Sequence, residues 1–185
     1  MQEEIIISGF GGQGALFAGQ LLAYTAMDQG KEVTWIPSYG PEMRGGTAHC
    51  TVIIGDEPIG SPVVRAPSVA IAMNLPSHEK YGNLLQAGSV LIVNSSLVPE
   101  KHHRNDICEV RVPASDVAGE LGDVRMTNVV LLGALLRVRP ILTLEAVQAS
   151  MEAHVAGRAR RLLEQNKQAL RKGFEIAGSV LPLTV

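Results

Sequence analysis

Residues 5–19 read I-I-I-S-G-F-G-G-Q-G-A-L-F-A-G. A β-branched run that breaks into glycines and resumes at helical spacing is a strand, a tight loop and a helix. Gly9, Gly11 and Gly14 fall at the G-x-G-x-x-G spacing, Gly12 adds a fourth glycine, and Gln13 is the only polar side chain between Gly9 and Gly14. Glycines at these positions allow a tight turn, close backbone approach to a ligand and close packing of helix on strand. The loop leaves free N–H groups at a helix N-terminus, where the macrodipole also favours negative charge, so a phosphate or carboxylate is the natural ligand. By itself the motif names no particular cofactor.

Outward from this loop the pattern alternates. A first strand is expected over 4–8, apolar at Ile5, Ile6 and Ile7, as in a parallel sheet covered on both faces. A first helix follows over about 12–27, with the small residues Ala15, Ala18, Gly19 and Ala26 against the sheet and Gly30 as its stop. A second strand is expected over 33–36, ended by Pro37, and a third over 47–55 with Cys50, Val52 and Ile54 on one face and His49 and Thr51 on the other. Further strands are expected over 68–73, 89–93 and 107–112, the last at an edge. Asn74 and Ser77 are placed to cap a helix reaching Leu85. The loop with Lys101, His102, His103 and Arg104 reads as solvated rather than as a metal cluster, because no third ligand is in view. Thr127 and Asn128 open a helix apolar nearly all round, and helices over 144–154 and about 158–179 close the chain. The expected fold class is α/β: an open, mostly parallel sheet with helices on both faces and C-terminal helices, in one domain over 1–185.

A nicotinamide-binding fold places an acidic residue about 20 residues beyond the glycines to hold the ribose hydroxyls. Here the end of the second strand offers Trp35, Ile36, Pro37 and Ser38, and the next acid, Glu42, belongs to another motif. That motif is Ser38-Tyr39-Gly40-Pro41-Glu42-Met43-Arg44-Gly45-Gly46. It sets a hydroxyl, a phenol, a carboxylate and a guanidinium in one loop at the sheet edge where ligands bind in open α/β folds. Its glycines leave room beside Arg44 for a phosphate or a partner backbone. As a plain turn, Gly40-Pro41 and Gly45-Gly46 would supply the bends, with Glu42 and Arg44 solvated or paired.

Net charge is −2 and basic residues are spread along the chain, which speaks against nucleic acid as a partner. Cys50 and Cys108 have no metal-ligand spacing, so no metal site is expected and a reducing cytoplasm is the expected compartment. The most apolar run, 129–136, is far shorter than the ~20 residues of a membrane span. There is no G-x-S-x-G and no G-x-x-x-x-G-K-[ST]. No catalytic residue is assigned within the chain: it has binding loops without a self-contained catalytic set, as in a ligand-binding module or one subunit of a larger enzyme. An exposed apolar set of Trp35, Tyr39 and Met43 would suit the second.

G-F-G-G-Q-G at 9–14, V-T-W-I-P-S-Y-G-P-E-M-R-G-G-T-A at 33–48 and A-M-N-L-P-S at 72–77 resemble the gamma subunit of the 2-oxoacid:ferredoxin oxidoreductases, and the W-I-P-S-Y-G-P-E-M-R-G-G wording is most similar to the 2-oxoglutarate (2-ketoglutarate) branch. Pyruvate, branched-chain 2-oxoacid and indolepyruvate branches share much of it. The resemblance implies a Rossmann-like fold and a part in CoA-dependent oxidative decarboxylation to acyl-CoA, CO2 and reduced ferredoxin. It implies alpha and beta partner subunits, with or without a delta subunit. Thiamine diphosphate and magnesium would sit between alpha and beta, and iron–sulfur clusters in beta or delta. No cofactor is expected to be held firmly by this chain, and alone it is expected to be inactive and to be free to self-associate. Tyr39, Glu42 and Arg44 would stabilise the subunit interface or help receive coenzyme A. The alternative is a free-standing module that binds a dinucleotide or coenzyme A.

Overall fold

The computed structural model describes residues 2–39 and 47–180, with Tyr39, Arg158 and Ala159 known through their backbone alone. The strands are β1 (Gln2–Phe10), β2 (Glu32–Tyr39), β3 (Thr47–Gly55), β4 (Val69–Ala72), β5 (Val90–Asn94) and β6 (Cys108–Val112). The helices are α1 (Ala15–Asp28), α2 (Leu75–Leu84), α3 (Ala114–Glu120), α4 (Thr127–Val138), α5 (Leu144–His154) and α6 (Leu163–Val180). Among the described residues the strands form one sheet in the order β2-β3-β1-β4-β5-β6. The β1·β4, β4·β5 and β5·β6 ladders are parallel, and β3 runs antiparallel to both β1 and β2.

The α/β class and the helices on both faces are as the pattern predicts, and the reversed β3 is what makes the sheet mixed. Alternation along β1 explains the two-sided burial: Ile5 and Ile7 enter a large core with α1, α4, α5 and α6, while Ile6 faces a smaller one under α2. Cys50, Val52 and Ile54 of β3 point into the large core, as their spacing requires. No described helix is long and apolar enough to cross a membrane.

Four expectations shift. The second strand does not stop at Pro37 but continues to Tyr39, because β2 is an edge strand with a single ladder, where a proline removes no essential hydrogen bond. The first helix begins at Ala15, since Gly12 and Gly14 hold positive φ (94° and 80°) that an α-helix cannot continue. Trp35 packs against the large core rather than standing exposed, its indole beside Gly19 and the Cys50 thiol. The loop before β6 is not simply solvated: His102 is buried, and Arg104 donates to the carbonyls of Gly82 (3.1 Å) and Leu85 (2.6 Å), closing the C-terminal end of α2.

α4 crosses α6 so closely that backbone meets backbone. A Cβ on Gly173 would lie 2.7 Å from the Val130 carbonyl carbon, and one on Gly133 would lie 2.9 Å from the Phe174 nitrogen. Glycine at both positions is therefore a packing requirement of the C-terminal layer.

Candidate functional site

The chain leaves β1 toward one face of the sheet and β4 toward the other, because α1 packs in the large core and α2 over the small one. Between the carboxyl ends of β1 and β4 this opens the crevice where open α/β sheets take their ligands. The glycine loop forms its rim. Gln13 N donates to Phe10 O (3.0 Å), a tight turn with the positive φ of Gly12 at its third position, as a type II turn needs.

Three of the four glycines have a physical reason within the described chain. A side chain on Gly9 would meet the Gln13 carboxamide oxygen at 2.7 Å and Met73 Cβ at 3.0 Å. Gly14 has Asn128 pressed against it and positive φ, and Gly12 is fixed by its φ alone. Gly11 has no positive φ and nothing within 4 Å of where a Cβ would stand. Nothing within the described chain requires a glycine at position 11.

Gln13 turns back under the loop: its Oε1 accepts from Phe10 N (2.6 Å) and from Asn74 Nδ2 (3.3 Å). Asn74 in turn caps α2 by accepting from Ser77 N (2.9 Å), and Ser77 meets Ser8 Oγ to Oγ at 2.9 Å. Asn128 Nδ2 donates to Gly14 O (3.0 Å). Asn94 Nδ2 donates to Ser115 Oγ (2.9 Å) and Met73 O (3.3 Å). These side chains make a buried polar band across the carboxyl ends of β1, β4 and β5; Ser8, Asn74, Ser77, Asn94 and Asn128 are all buried. Satisfied internally, the band holds the loop in one shape. Sequence spacing singled out Gln13, and Asn74 as a cap; it missed Asn94, Ser115 and Asn128. Their signal was an asparagine closing an apolar strand and another opening an apolar helix, since a polar group buried there needs partners.

Above the band the rim is open. Among the described residues no side chain caps α1, and its first turn carries no acid, so its leading amides have no described side-chain acceptor. Grooves of about 260 Å³ and about 240 Å³ flank the loop, the first lined by Phe10, Gly11, Gly12, Leu16 and Ala48, the second by Gly12, Leu97, Val124 and Arg125. Phe10 (38% exposed), Leu75 (43%), Leu97 (46%) and Val124 (59%) form an apolar collar at this edge. Arg125, its guanidinium on Asp123, lines the second groove.

Of the second motif, Ser38 and Tyr39 end β2, opposite His49 and Ala48 of β3, while Gly40, Glu42, Arg44, Gly45 and Gly46 lie outside the described residues. The register nevertheless places the flanks: Gly9 pairs with Ala48 and Phe10 with Thr47. The described ends of β2 and β3, Tyr39 and Thr47, therefore lie at the same sheet edge as the glycine loop.

Neither cysteine suits a four-thiolate cluster. Cys50 is buried with its thiol on Ala15 O (3.4 Å), and burial pushes it up to about 12, while Cys108 lies exposed at the start of β6. Among the described residues no three His, Cys, Asp or Glu side chains converge on a metal position. Outward amides, a nearby arginine and apolar walls suit instead an anionic group carried on an organic body, or an apolar face of another chain.

Comparison with known proteins gives this edge its context. Residues 4–176 match the family model described as pyruvate ferredoxin/flavodoxin oxidoreductase. The chain belongs to that family. It is 34% identical over 182 residues to the 2-oxoglutarate synthase subunit KorC of Methanocaldococcus jannaschii, covering 96% of this chain and 95% of that one. It is likewise 34% identical over 172 residues to the ketoisovalerate oxidoreductase subunit VorA of Methanothermobacter thermautotrophicus, but there 92% of this chain spans only 35% of the relative. The solved keto/oxoacid ferredoxin oxidoreductase gamma subunit of Geobacter sulfurreducens superposes with a TM-score of 0.86 at 30% identity, covering 97% of this chain and 98% of that one. Family membership, gamma-subunit likeness and fold thus agree. The relatives are divided in substrate among 2-oxoglutarate, ketoisovalerate and pyruvate forms.

Proposed function

We propose that the chain is the gamma subunit of a CoA-dependent 2-oxoacid:ferredoxin oxidoreductase, inactive alone, whose carboxyl edge is completed by an alpha subunit. One observation carries this: the apolar collar of Phe10, Leu75, Leu97 and Val124 surrounds a helix N-terminus at the β1/β4 crevice that no described side chain caps. Such a surface suits cover by another chain. The glycine loop then forms one wall of a shared site. Its amides and Arg125, together with Arg44, would hold the phosphates of coenzyme A, with Ser38, Tyr39 and Glu42 at the subunit contact. Thiamine diphosphate with magnesium and the iron–sulfur clusters belong to the partner subunits in this reading, and they supply the decarboxylation and electron transfer.

The substrate is 2-oxoglutarate. The wording of 33–48 favours that branch, and the full-length match to a 2-oxoglutarate synthase subunit supports it.

Purification of the native chain tests the assignment. Co-elution with a thiamine-dependent partner that reduces ferredoxin with 2-oxoglutarate and coenzyme A is the expected result. Elution alone, with micromolar affinity of the isolated chain for a dinucleotide, refutes it in favour of a free-standing module. In the reconstituted complex Arg44→Ala raises the apparent KM for coenzyme A or weakens assembly; no change in either removes Arg44 from the site.

A further inference from the structure

Among the described residues α2 is the one helix whose buried apolar side chains belong to the smaller core, built from Ile6, Ala70, Ala72, Tyr81, Leu85, Leu91, Val93 and Val98. Alanines leave this layer short of volume, and imidazoles complete it. His49 of β3 lies 5.6 Å from the Tyr81 ring, centroid to centroid. His78 of α2 is 3% exposed and stands edge-on to His102 at 5.1 Å. His102 is 9% exposed, stacks on His103 at 4.3 Å, and rests on α2 where only Gly82 admits it: a Cβ there would come within 2.5 Å of its ring.

Burial favours the neutral forms of these rings. Among the described residues His78 Nε2 has no hydrogen-bond partner, and it lies 3.7 Å from Glu109 Oε1. That carboxylate is already engaged by Arg111 Nη1 (2.6 Å) and by His102 N (2.6 Å). Burial lowers the His78 pKa most, with Arg111 adding to the effect and Glu109 and Glu79 opposing it. Burial likewise dominates at His102, helped by His103, His78 and Arg104 and opposed by Glu109. At His49 burial and then Lys80 act in the same direction, with Lys80 itself drawn over the Tyr81 ring at 5.0 Å.

The other end of α2 holds the candidate site. Asn74 caps the helix and holds Gln13, Gln13 holds the turn, and Ser77 holds Ser8. We propose that α2 and the imidazoles beneath it form a pH-sensitive clamp on the glycine loop, released when His78 and His102 take up protons. The clamp is a property of this chain; its consequence for subunit assembly rests on the function proposed above.

The direction follows from linkage. Above the ordinary histidine value, near ~6.5, the rings are neutral whether α2 is docked or not, and docking is independent of pH. Below it the undocked form binds protons first, so docking weakens progressively as pH falls toward the lowered values of the docked state. Each histidine held lower in the docked form adds to the weakening of docking at acid pH.

Hydrogen exchange of the full chain at pH 7.5 and 5.5, corrected for intrinsic rates, tests the clamp without any partner. Protection of 74–84 and of 9–17 is expected to fall together about tenfold or more at pH 5.5, with α4 and α6 unchanged. Equal protection at the two pH values, or a fall in one segment alone, overturns the proposal on wild-type protein. The variant His78→Gln/His102→Gln should show no pH dependence in either segment; retained dependence also overturns it. Asn74→Ala should uncouple the loop from α2. If the clamp passes and acid leaves subunit assembly intact, only its functional consequence falls.

Discussion

Alanine at two glycines of the same loop is expected to separate folding from function. At Gly14 the structure opposes a side chain twice. Its φ of 80° costs an L-residue about 1–2 kcal/mol, and a Cβ there would lie 3.0 Å from Asn128 Cγ, displacing the amide that donates to Gly14 O. Losing that bond and leaving a buried carboxamide without its partner costs about 1–3 kcal/mol more. The lower entropy of the unfolded alanine chain returns about 0.4–1 kcal/mol. Gly14→Ala should therefore lose about 3 kcal/mol, a fall in Tm of roughly 6–12 °C for a chain of this size. At Gly11 no described atom lies within 4 Å and φ is not positive, so Gly11→Ala should melt within about 2 °C of wild type. The same methyl group points out from the rim between Phe10 and Gly12, where a partner or phosphate would rest, and should weaken assembly or raise the KM for coenzyme A about tenfold or more. Scanning calorimetry of the chain and titration of the reconstituted complex give the two readouts. An unchanged Tm for Gly14→Ala refutes the account of the loop's geometry. A Gly11→Ala complex within twofold of wild type refutes the claim that this rim is covered.

Three further outcomes follow from the packing. Gly173→Ala would force α4 and α6 apart by about 1 Å and cost about 1–3 kcal/mol or more, whereas Gly178→Ala in the same helix meets only the mobile Arg137 guanidinium end and should melt at or above wild type; equal melting of the two removes the close crossing. Asn74→Ala removes both the α2 cap and the bridge to Gln13, costing about 1–2 kcal/mol and speeding exchange of the Phe10 amide; an unchanged Phe10 amide would show that the bridge does not brace the loop. A thiol reagent at pH 8 should label exposed Cys108 promptly and leave Cys50, pushed up to about 12, unlabelled until the chain unfolds; native labelling of Cys50 would contradict its packing against Gly19.

What the sequence by itself determined was local. The isoleucines of β1, the alternation of β3 and the apolar run of α4 are periodicities, and a periodicity names its element and its buried face before any partner is known. The glycine spacing likewise determined a loop with outward amides. Pro37 misled because its meaning depends on whether its strand has one neighbour or two, which only the strand order decides. His102 and Trp35 misled because burial of an amphipathic side chain is set by what packs over it. The tertiary structure alone decided that β3 inserts between β1 and β2, and that Asn74 and Asn128 close on the glycine loop from 61 and 114 residues away. It also decided that Gly9, Gly12 and Gly14 serve the fold while Gly11 faces outward. Hydrogen bonds and close approaches between segments distant in sequence leave no periodic trace, so these contacts become visible only when the chain has folded.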